Sequence, residues 1–217
     1  MTIKKQILFL LTIALCPVCH ADGITGERDL CTYDTYQWNT FEKRAVEYER
    51  IEKLYSDLTD DEIDQATGCS VCQQDQVVIQ IGSLQAFQVC HIFADQIKKT
   101  LTDLLNRGEP IYKVVAYRVG KSRGDIDTSG NRTQFSNHSF GIAIDINPEY
   151  NGLYDNCLEY GPQCRLIKGG AWLPGQSPES LTKDGAIVNE LKRVRFKWGG
   201  EIPGKQKDFM HFSPSGY

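Results

Sequence analysis

The sequence predicts an α+β domain built on a small antiparallel sheet, with helices packed on one side and disulfide bonds bracing the fold. Three observations support this class. Helical spacing of apolar residues is common in the first half of the chain, and short strand-like segments carry the polar motifs of the second half. Cysteines occur in an even number after the leader segment. The length suits one domain with a single sizeable core.

The N-terminus has the layout of a secretory signal peptide. Lys4 and Lys5 precede an apolar run over residues 7–15, and a small residue, alanine, offers a cleavage site at the end of the leader. We therefore expect residues 1–21 to be a signal peptide. The mature chain is then residues 22–217, and we expect it to be periplasmic or secreted.

Two other interpretations of the leader fit less well. A transmembrane anchor would need about 20 apolar residues to cross a hydrocarbon core of about 30 Å, and the run is much shorter than that. A lipoprotein signal would use Cys16 or Cys19, but the bulky residues Leu15 and Val18 precede them. No other segment is apolar enough, so we expect no membrane span after signal cleavage.

The charge of the chain argues against one class of partner. The formal net charge is −4, and signal cleavage removes Lys4 and Lys5 and changes it to −6. Such a chain has no general attraction for nucleic acid, and no stripe of basic residues offsets this. We expect no nucleic-acid partner, and the oligomeric state stays open.

Six cysteines remain after cleavage, and an even number in an exported chain favours disulfide bonds. Cys69 and Cys72 form a Cys-x-x-Cys pair, which elsewhere is half of a zinc knuckle or a redox motif. The sequence has neither a second such pair nor a thioredoxin-like pattern, so structural bridges are favoured. Cys157 and Cys164 enclose a short loop and predict one bridge. The pairing among the first four stays open: Cys31, Cys69, Cys72 and Cys90.

Local patterns predict the remaining elements. Apolar residues at helical spacing predict helices, and runs of β-branched and aromatic residues predict strands. These elements divide the mature chain into a helical N-terminal region with four cysteines, residues 22–110, packed on a core of residues 111–217 that carries the motifs. We predict helices over residues 40–58, 86–107 and 182–196, and strands over residues 76–81, 112–119 and 142–146.

Two of the three histidines that survive cleavage have the surroundings of metal ligands. His91 lies in an apolar helical stretch, which is typical of a buried or capping histidine. His138 and His211 lie among polar and glycine residues instead. Each has a carboxylate nearby in sequence, because Asp145 follows His138 by seven residues and Asp208 precedes His211 by three.

These residue types are those of a catalytic zinc site. Two histidines and one carboxylate bind zinc and leave a fourth position for water, from which a second carboxylate can accept a proton. Gly141, between His138 and Asp145, predicts a turn that directs both side chains toward one point. The alternative is a loop histidine and a surface residue of an edge strand, which this spacing alone does not exclude.

Two sequence motifs make the evidence for a zinc site more specific. The segment "SNHSFGIAIDINPEYN" (residues 136–151) carries a Ser-x-His-x-x-Gly-x-Ala-x-Asp signature at every specified position, and "FKWGGEIPGKQKDFMHF" (residues 196–212) is similar to a Trp-Gly-Gly-Asp motif that ends in Asp-x-x-His-Phe. In these motifs and their order, the chain resembles the zinc D-alanyl-D-alanine carboxypeptidases. That family is related to the vancomycin-resistance D,D-peptidases, to phage L-alanyl-D-glutamate endolysins and to hedgehog-type domains. The resemblance covers roughly residues 112–212.

The resemblance implies roles for individual residues. It implies that His138, Asp145 and His211 are Zn2+ ligands, so that the small antiparallel sheet of the zinc peptidase core carries the zinc site. It also implies that Asp208 is the catalytic carboxylate. Asp208 would act first as a general base toward water and then as a proton donor to the leaving amine.

The match is looser at two places. Arg118 falls near the family's strand arginine, which supports the substrate and its developing oxyanion, and Arg123 competes for that role. The alternative for both is a solvated arginine at a strand end. Where the family has Trp-Gly-Gly-Asp-Trp, this chain has Glu201 and Ile202 at the last two positions. Glu201 is therefore a candidate that either supports the site or contacts the substrate, and the alternative is a plain surface acid.

The resemblance implies an exported zinc-dependent metallopeptidase that hydrolyses peptide bonds in peptidoglycan stem peptides, as a D-alanyl-D-alanine carboxypeptidase does. An L-alanyl-D-glutamate-type endopeptidase, or a lytic effector with a foreign target, would share its compartment and motifs. An inactive zinc-bearing binding module is a third class, and Asp208 argues against it because such a module needs no base. The N-terminal region lies outside the resemblance and would be a cap over the cleft, a partner surface or a brace.

Overall fold

The computed structural model describes residues 29–217, in which short strands and two α-helices form an α+β fold. The signal peptide predicted over residues 1–21 lies outside the described residues. The helices are α1 (His91–Asn106) and α2 (Ala186–Arg193). The strands are β1 (Leu30–Asn39), β2 (Arg44–Leu54), β3 (Gln76–Ile79), β4 (Phe87–Cys90), β5 (Val114–Val115), β6 (Lys121–Ile126), β7 (Arg132–Phe135), β8 (Ile144–Ile146), β9 (Leu153–Asp155), β10 (Arg165–Lys168), β11 (Lys197–Trp198), β12 (Lys207–Asp208) and β13 (His211–Ser213).

The strands form four small sheets. Their orders are β2-β1-β6-β7, β3-β4, β11-β13-β8-β5 and β10-β9-β12. Neighbouring strands are antiparallel except β1 and β6, which pair in parallel through Gln37 and Lys121. The first sheet therefore joins the N-terminal hairpin β1–β2 to strands from the second half of the chain.

The β11-β13-β8-β5 sheet separates the main apolar core from the polar motifs. Ile144 and Ile146 on β8 and Phe212 on β13 are fully buried in the core that also contains the inner faces of α1 and α2. Successive side chains of a strand point to opposite faces. Asp145 and His211 therefore lie on the other face of the same sheet, and the predicted arrangement of helices on one side of a small antiparallel sheet is confirmed.

The helix predicted over residues 40–58 is wrong, because β2 occupies most of that segment and pairs with β1 from Asn39↔Arg44 to Leu30↔Leu54. No element is predicted from the sequence for β1 itself. The Glu, Lys and Arg residues of β2 favour helices in isolation. Here β2 is an edge strand, where charged side chains face solvent and discourage pairing with other chains. Pairing with β1 thus overrides the local preference.

The other predicted elements are found with changed bounds. The helix predicted from residue 86 begins only at His91, because the preceding residues form β4 and pair with β3. The strand predicted over residues 112–119 is reduced to β5. The remaining predictions correspond to β3, β8 and α2, each shorter than expected.

The prediction that all six mature cysteines form disulfides is confirmed, including the bridge Cys157–Cys164. The four cysteines whose pairing was open form the bridges Cys31–Cys72 and Cys69–Cys90. The first ties the start of β1 to the segment before β3, and the second ties that segment to the end of β4. Three disulfides indicate an oxidising compartment, extracellular or periplasmic.

Among residues 29–217, none of the helices has the length and apolar character that crossing a membrane requires. The predicted division of the mature chain into an N-terminal region, residues 22–110, and a core, residues 111–217, stays a prediction.

A buried carboxylate braces the base of the hairpin β1–β2. Glu62 is 4% exposed. It accepts hydrogen bonds from the Tyr33 hydroxyl, from Lys53 Nζ at 2.5 Å, and from the backbone N–H and hydroxyl of Thr59 at 2.8 and 2.7 Å. Burial alone would raise the pKa of Glu62, but these donors outweigh it and lower the pKa to about 2.

We expect Glu62→Gln to destabilise the protein at pH 7 by about 2 kcal/mol. The folded pKa lies below the ordinary value of 4.5, so the contribution of the ionised carboxylate is fully present above that value and is lost as the pH falls toward 2. Urea unfolding at pH 7 and pH 3 tests this, and the difference from wild type should shrink by about half or more at the lower pH. Glu49→Gln, an exposed change on the same hairpin, is the control. Equal losses at both pH values would contradict the prediction.

Candidate metal centre

The site is assembled by two neighbouring strands and the turn that leads into one of them. Asp145 on β8 lies directly opposite His211 on β13. His138 lies in a short 3-10 turn, Asn137–Phe140, just before β8. Gly141 ends this turn with a φ of +66°. A side chain at this position would collide with the Gln76 side chain and with the backbone nitrogen of Cys90. The turn predicted at this glycine is therefore confirmed.

The three predicted ligands converge on one point. The carboxylate oxygen Asp145 Oδ1 lies 3.1 Å from His138 Nε2 and 3.1 Å from His211 Nδ1. The three possible ligand atoms all lie within 4.8 Å of one another, and all three residues are at most 5% exposed. This grouping would be costly to bury without a cation or shared protons among its members.

A backbone carbonyl orients the first histidine. His138 Nδ1 lies 2.8 Å from the carbonyl oxygen of Ala116, which can only accept a hydrogen bond. Nδ1 of His138 therefore carries a proton, and Nε2 is the ring atom that faces Asp145 and could bind a metal. This is the arrangement in which metal-binding histidines are usually held.

The electrostatics of the cluster suit a cation. Burial lowers the pKa of His138, although the charge of Asp145 acts in the opposite direction. Burial alone would raise the pKa of Asp145, but the two histidines outweigh it and hold the pKa well below its usual range. Burial would likewise lower the pKa of His211, but the hydrogen bond to Asp145 and the Asp145 charge raise it. The carboxylate thus favours positive charge at this point.

The donor set fits zinc. Two imidazole nitrogens and one carboxylate oxygen are the ligands of open, catalytic zinc sites. His211 Nε2 and Asp208 Oδ1 are buried without a hydrogen-bond partner among residues 29–217. Unsatisfied buried polar atoms of this kind are expected where an ion or water completes a site.

Asp208, predicted as the catalytic carboxylate, borders the same cavity as the three possible ligands. It ends β12, where it pairs with Leu153 of β9, and it is half-buried. Burial raises the pKa of Asp208 to about 6. A carboxyl group with such a pKa can both accept and donate a proton near neutral pH.

The Trp-Gly-Gly motif holds this region in place. Trp198 is buried and donates a hydrogen bond from Nε1 to the carbonyl oxygen of Phe209 at 2.8 Å. Gly199 packs so closely on Asp208 that an added Cβ would lie 3.0 Å from Asp208 Cβ and closer still to its carbonyl oxygen. The motif therefore positions residues 208–211, which connect β12 to β13.

Arg118 contacts the cluster through both its backbone and its side chain. Its backbone N–H donates to the carbonyl oxygen of His138 at 3.1 Å, and its guanidinium lies 3.7 Å from Asp145 Oδ2. Arg123 lines the same cavity, where burial lowers its pKa. Both arginines are thus present at the cleft, and Arg118 is the one paired with Asp145.

For Glu201 the structure favours the alternative of a surface acid, and for His91 the expected burial or capping role is wrong. Glu201 does not line the cleft and forms ion pairs with Lys183, at 3.8 Å, and with Lys192 on another part of the surface. His91 is neither buried nor a cap: it is exposed at the start of α1, with Nδ1 3.3 Å from the carbonyl oxygen of Asp75.

The cluster opens into a cavity of about 560 Å³. Residues of the hairpin β1–β2 form part of its lining, and sequence reasoning missed all of them. Their signal in the sequence is the alternation of aromatic residues in "TYQWN", which is typical of a strand. The hairpin contributes Tyr36, Trp38, Ala45 and Tyr48.

Comparison with known proteins agrees with the resemblance seen in the motifs. The buried His-Asp-His group is consistent with a metal site. Residues 129–214 match the model of the D-alanyl-D-alanine carboxypeptidase family, so the chain contains a domain of this family over those residues. No curated protein and no solved structure gave a significant match. The matched segment includes the three possible ligands and Asp208 but neither Arg118 nor the hairpin.

Proposed function

We propose that the protein is an exported zinc metallopeptidase that hydrolyses peptide bonds in peptidoglycan stem peptides, in the manner of a D-alanyl-D-alanine carboxypeptidase. One observation carries this proposal. A buried His138–Asp145–His211 cluster and the carboxyl group of Asp208 border one cavity, inside the segment that matches the family. The family match supports a peptide as substrate.

His138, Asp145 and His211 would hold the zinc ion. When bound, zinc lowers the pKa of water toward about 7 and polarises a carbonyl group. The protein contributes the orientation of the ligands. The Ala116 carbonyl fixes the His138 tautomer, and the pairing of β8 with β13 places Asp145 and His211 opposite each other.

Asp208 moves the protons. Its carboxylate would accept a proton from the attacking water and then donate it to the nitrogen of the leaving group. Oδ1 is free for this role, since it is buried without a hydrogen-bond partner among the described residues. The raised pKa strengthens the carboxylate as a base compared with an ordinary aspartate.

Arg118 would stabilise the charge that develops on the substrate oxygen. Its guanidinium lies at the cavity beside Asp145. A fixed cation at that place stabilises the transition state more than the neutral substrate carbonyl, which is the requirement for catalysis. Arg118→Ala should therefore lower kcat more than it raises KM.

Mass analysis of purified stem peptides tests the function. The zinc-loaded mature protein is incubated with a stem pentapeptide that ends in D-alanyl-D-alanine. Loss of the terminal D-alanine is expected. A cut between L-alanine and D-glutamate would instead identify the endopeptidase alternative. A chelator-treated sample serves as control, and intact peptides after incubation with the zinc-loaded protein would refute the proposal.

A further inference from the structure

The hairpin β1–β2 lies outside the family-matched segment, yet it forms one wall of the catalytic cleft. Tyr36 and Trp38 on β1 and Tyr48 on β2 line the cavity that contains the metal-ligand cluster. The rings of Tyr36 and Tyr48 lie 5.9 Å apart. The cleft is therefore completed by a part of the chain that the family motifs do not include.

Tyr36 makes a direct contact with the arginine at the site. Arg118 donates a hydrogen bond from one terminal nitrogen to the Tyr36 hydroxyl at 3.1 Å. Its other terminal nitrogen lies 3.7 Å from Asp145 Oδ2. The guanidinium thus lies between the hairpin and the cluster, and the hydrogen bond to Tyr36 is the shorter of the two contacts.

The Tyr36 ring is itself held firmly. It covers Gly120, where an added Cβ would lie 2.5 Å and 2.8 Å from the ring atoms Cε1 and Cε2. Such an approach is possible only because residue 120 has no side chain.

Both ends of β1 are also anchored. The disulfide Cys31–Cys72 fixes the start of the strand. At its end, the Asn39 side-chain nitrogen donates to the carbonyl oxygen of Ser129 at 2.9 Å and to Asn131 Oδ1 at 2.7 Å. The strand therefore presents the Tyr36 hydroxyl from a fixed support.

We propose that Tyr36 is a positioning residue that holds the Arg118 guanidinium at the cleft. The inference rests on the proposed function, in which Arg118 stabilises the developing oxyanion. An arginine side chain loses considerable rotamer freedom when it is fixed, and a cation stabilises a transition state best when it needs no reorganisation. The Tyr36 hydroxyl provides this preorganisation from outside the family segment.

The first test measures the mobility of Arg118 and needs neither zinc nor substrate. Side-chain 15N relaxation at Arg118 Nε is compared in the wild-type mature protein, Tyr36→Phe and Tyr55→Phe. The Arg118 signal is assigned by its loss in Arg118→Lys. Tyr55→Phe is the matched control, because it also removes one tyrosine hydroxyl, whose hydrogen bond to Asp75 Oδ1 at 2.8 Å lies away from the cleft. We expect the Arg118 order parameter to fall below about 0.6 in Tyr36→Phe alone.

The second test measures kinetics on a stem peptide. Tyr36→Phe should lower kcat about tenfold with KM within about twofold, as expected when an interaction made mainly in the transition state is weakened. Gly120→Ala, which displaces the ring but keeps both side chains, should have the same effect. In an Arg118→Ala background, Tyr36→Phe should have no further effect on kcat.

The outcomes separate this inference from the proposed function. An unchanged Arg118 order parameter in Tyr36→Phe overturns the positioning role, whatever the activity. A loss of kcat that persists in the Arg118→Ala background overturns it as well. If the zinc-loaded wild type cleaves no stem peptide, the proposed function fails, and the relaxation measurement still decides whether Tyr36 holds Arg118.

Discussion

Asp208→Ala is expected to lower kcat on a stem peptide by about 10² to 10⁴, the usual cost of removing a positioned base. The fold and the zinc content should be retained, because Asp208 is not one of the three clustered ligands. The variant should also unfold at a temperature equal to or slightly above that of wild type. Burial raises the pKa of Asp208 and leaves Oδ1 without a partner among the described residues, so the ionised carboxylate opposes folding at neutral pH.

Glu201→Ala is the matched control for this prediction. It removes the other acid of the C-terminal motif, which the structure places outside the cleft in ion pairs with two lysines. Rates and zinc content measured side by side should show near-normal activity for Glu201→Ala. The reverse ranking would move the catalytic role to Glu201, and loss of zinc from Asp208→Ala would make Asp208 a ligand.

His138 and Asp145 could be placed together from the sequence because they lie at a fixed, short offset, whereas His211 was assigned to the same group only through the family resemblance. His138 and Asp145 are separated by a turn that needs glycine and by an apolar run, residues 142–144, whose last residue begins β8. The turn at Gly141 and the burial of Ile144 confirm both requirements. Because side chains alternate along β8, Asp145 then lies on the face of the strand that points away from the core. Local sequence is sufficient where one turn and one strand determine the geometry.

The hairpin could not be predicted in the same way, because its structure depends on pairing between distant segments. Charged residues on β2 have helix-forming preferences, and only the contact with β1 makes the strand stable. The parallel pairing of Gln37 with Lys121 joins residues far apart in the chain. For the same reason, the contact between Tyr36 and Arg118 has no local signal.

The number of cysteines predicts that they form disulfides but not which cysteines pair. Their even number predicted complete pairing, and the short loop between Cys157 and Cys164 predicted one bridge. The other two bridges, Cys31–Cys72 and Cys69–Cys90, cross over each other along the chain. Which of these four cysteines pair depends on how β1 packs against the segment before β3, and sequence spacing alone does not determine this packing.

The double variant His138→Ala, His211→Ala is expected to lose zinc completely, whereas wild type should bind one zinc ion per chain. Each substitution removes one of the two imidazole rings whose nitrogens lie 3.1 Å from Asp145 Oδ1. The remaining carboxylate alone makes a poor site for zinc. Metal analysis of the purified proteins measures the stoichiometry. Thermal unfolding with added zinc gives a second readout, since a ligand at 1,000 times its Kd stabilises the native state by about 4 kcal/mol.

His91→Ala is the matched control, because it removes an exposed histidine at the start of α1 that is not part of the cluster. It should keep one zinc ion and the full zinc-dependent rise in Tm. In the double variant, Asp145 stays buried without its two histidine partners, so we expect a lower Tm even without zinc. That loss must be separated from metal binding, and the zinc-dependent rise in Tm does so because it compares each protein with itself. Stoichiometric zinc in the folded double variant would show that the metal is bound elsewhere and would remove the basis for the proposed chemistry.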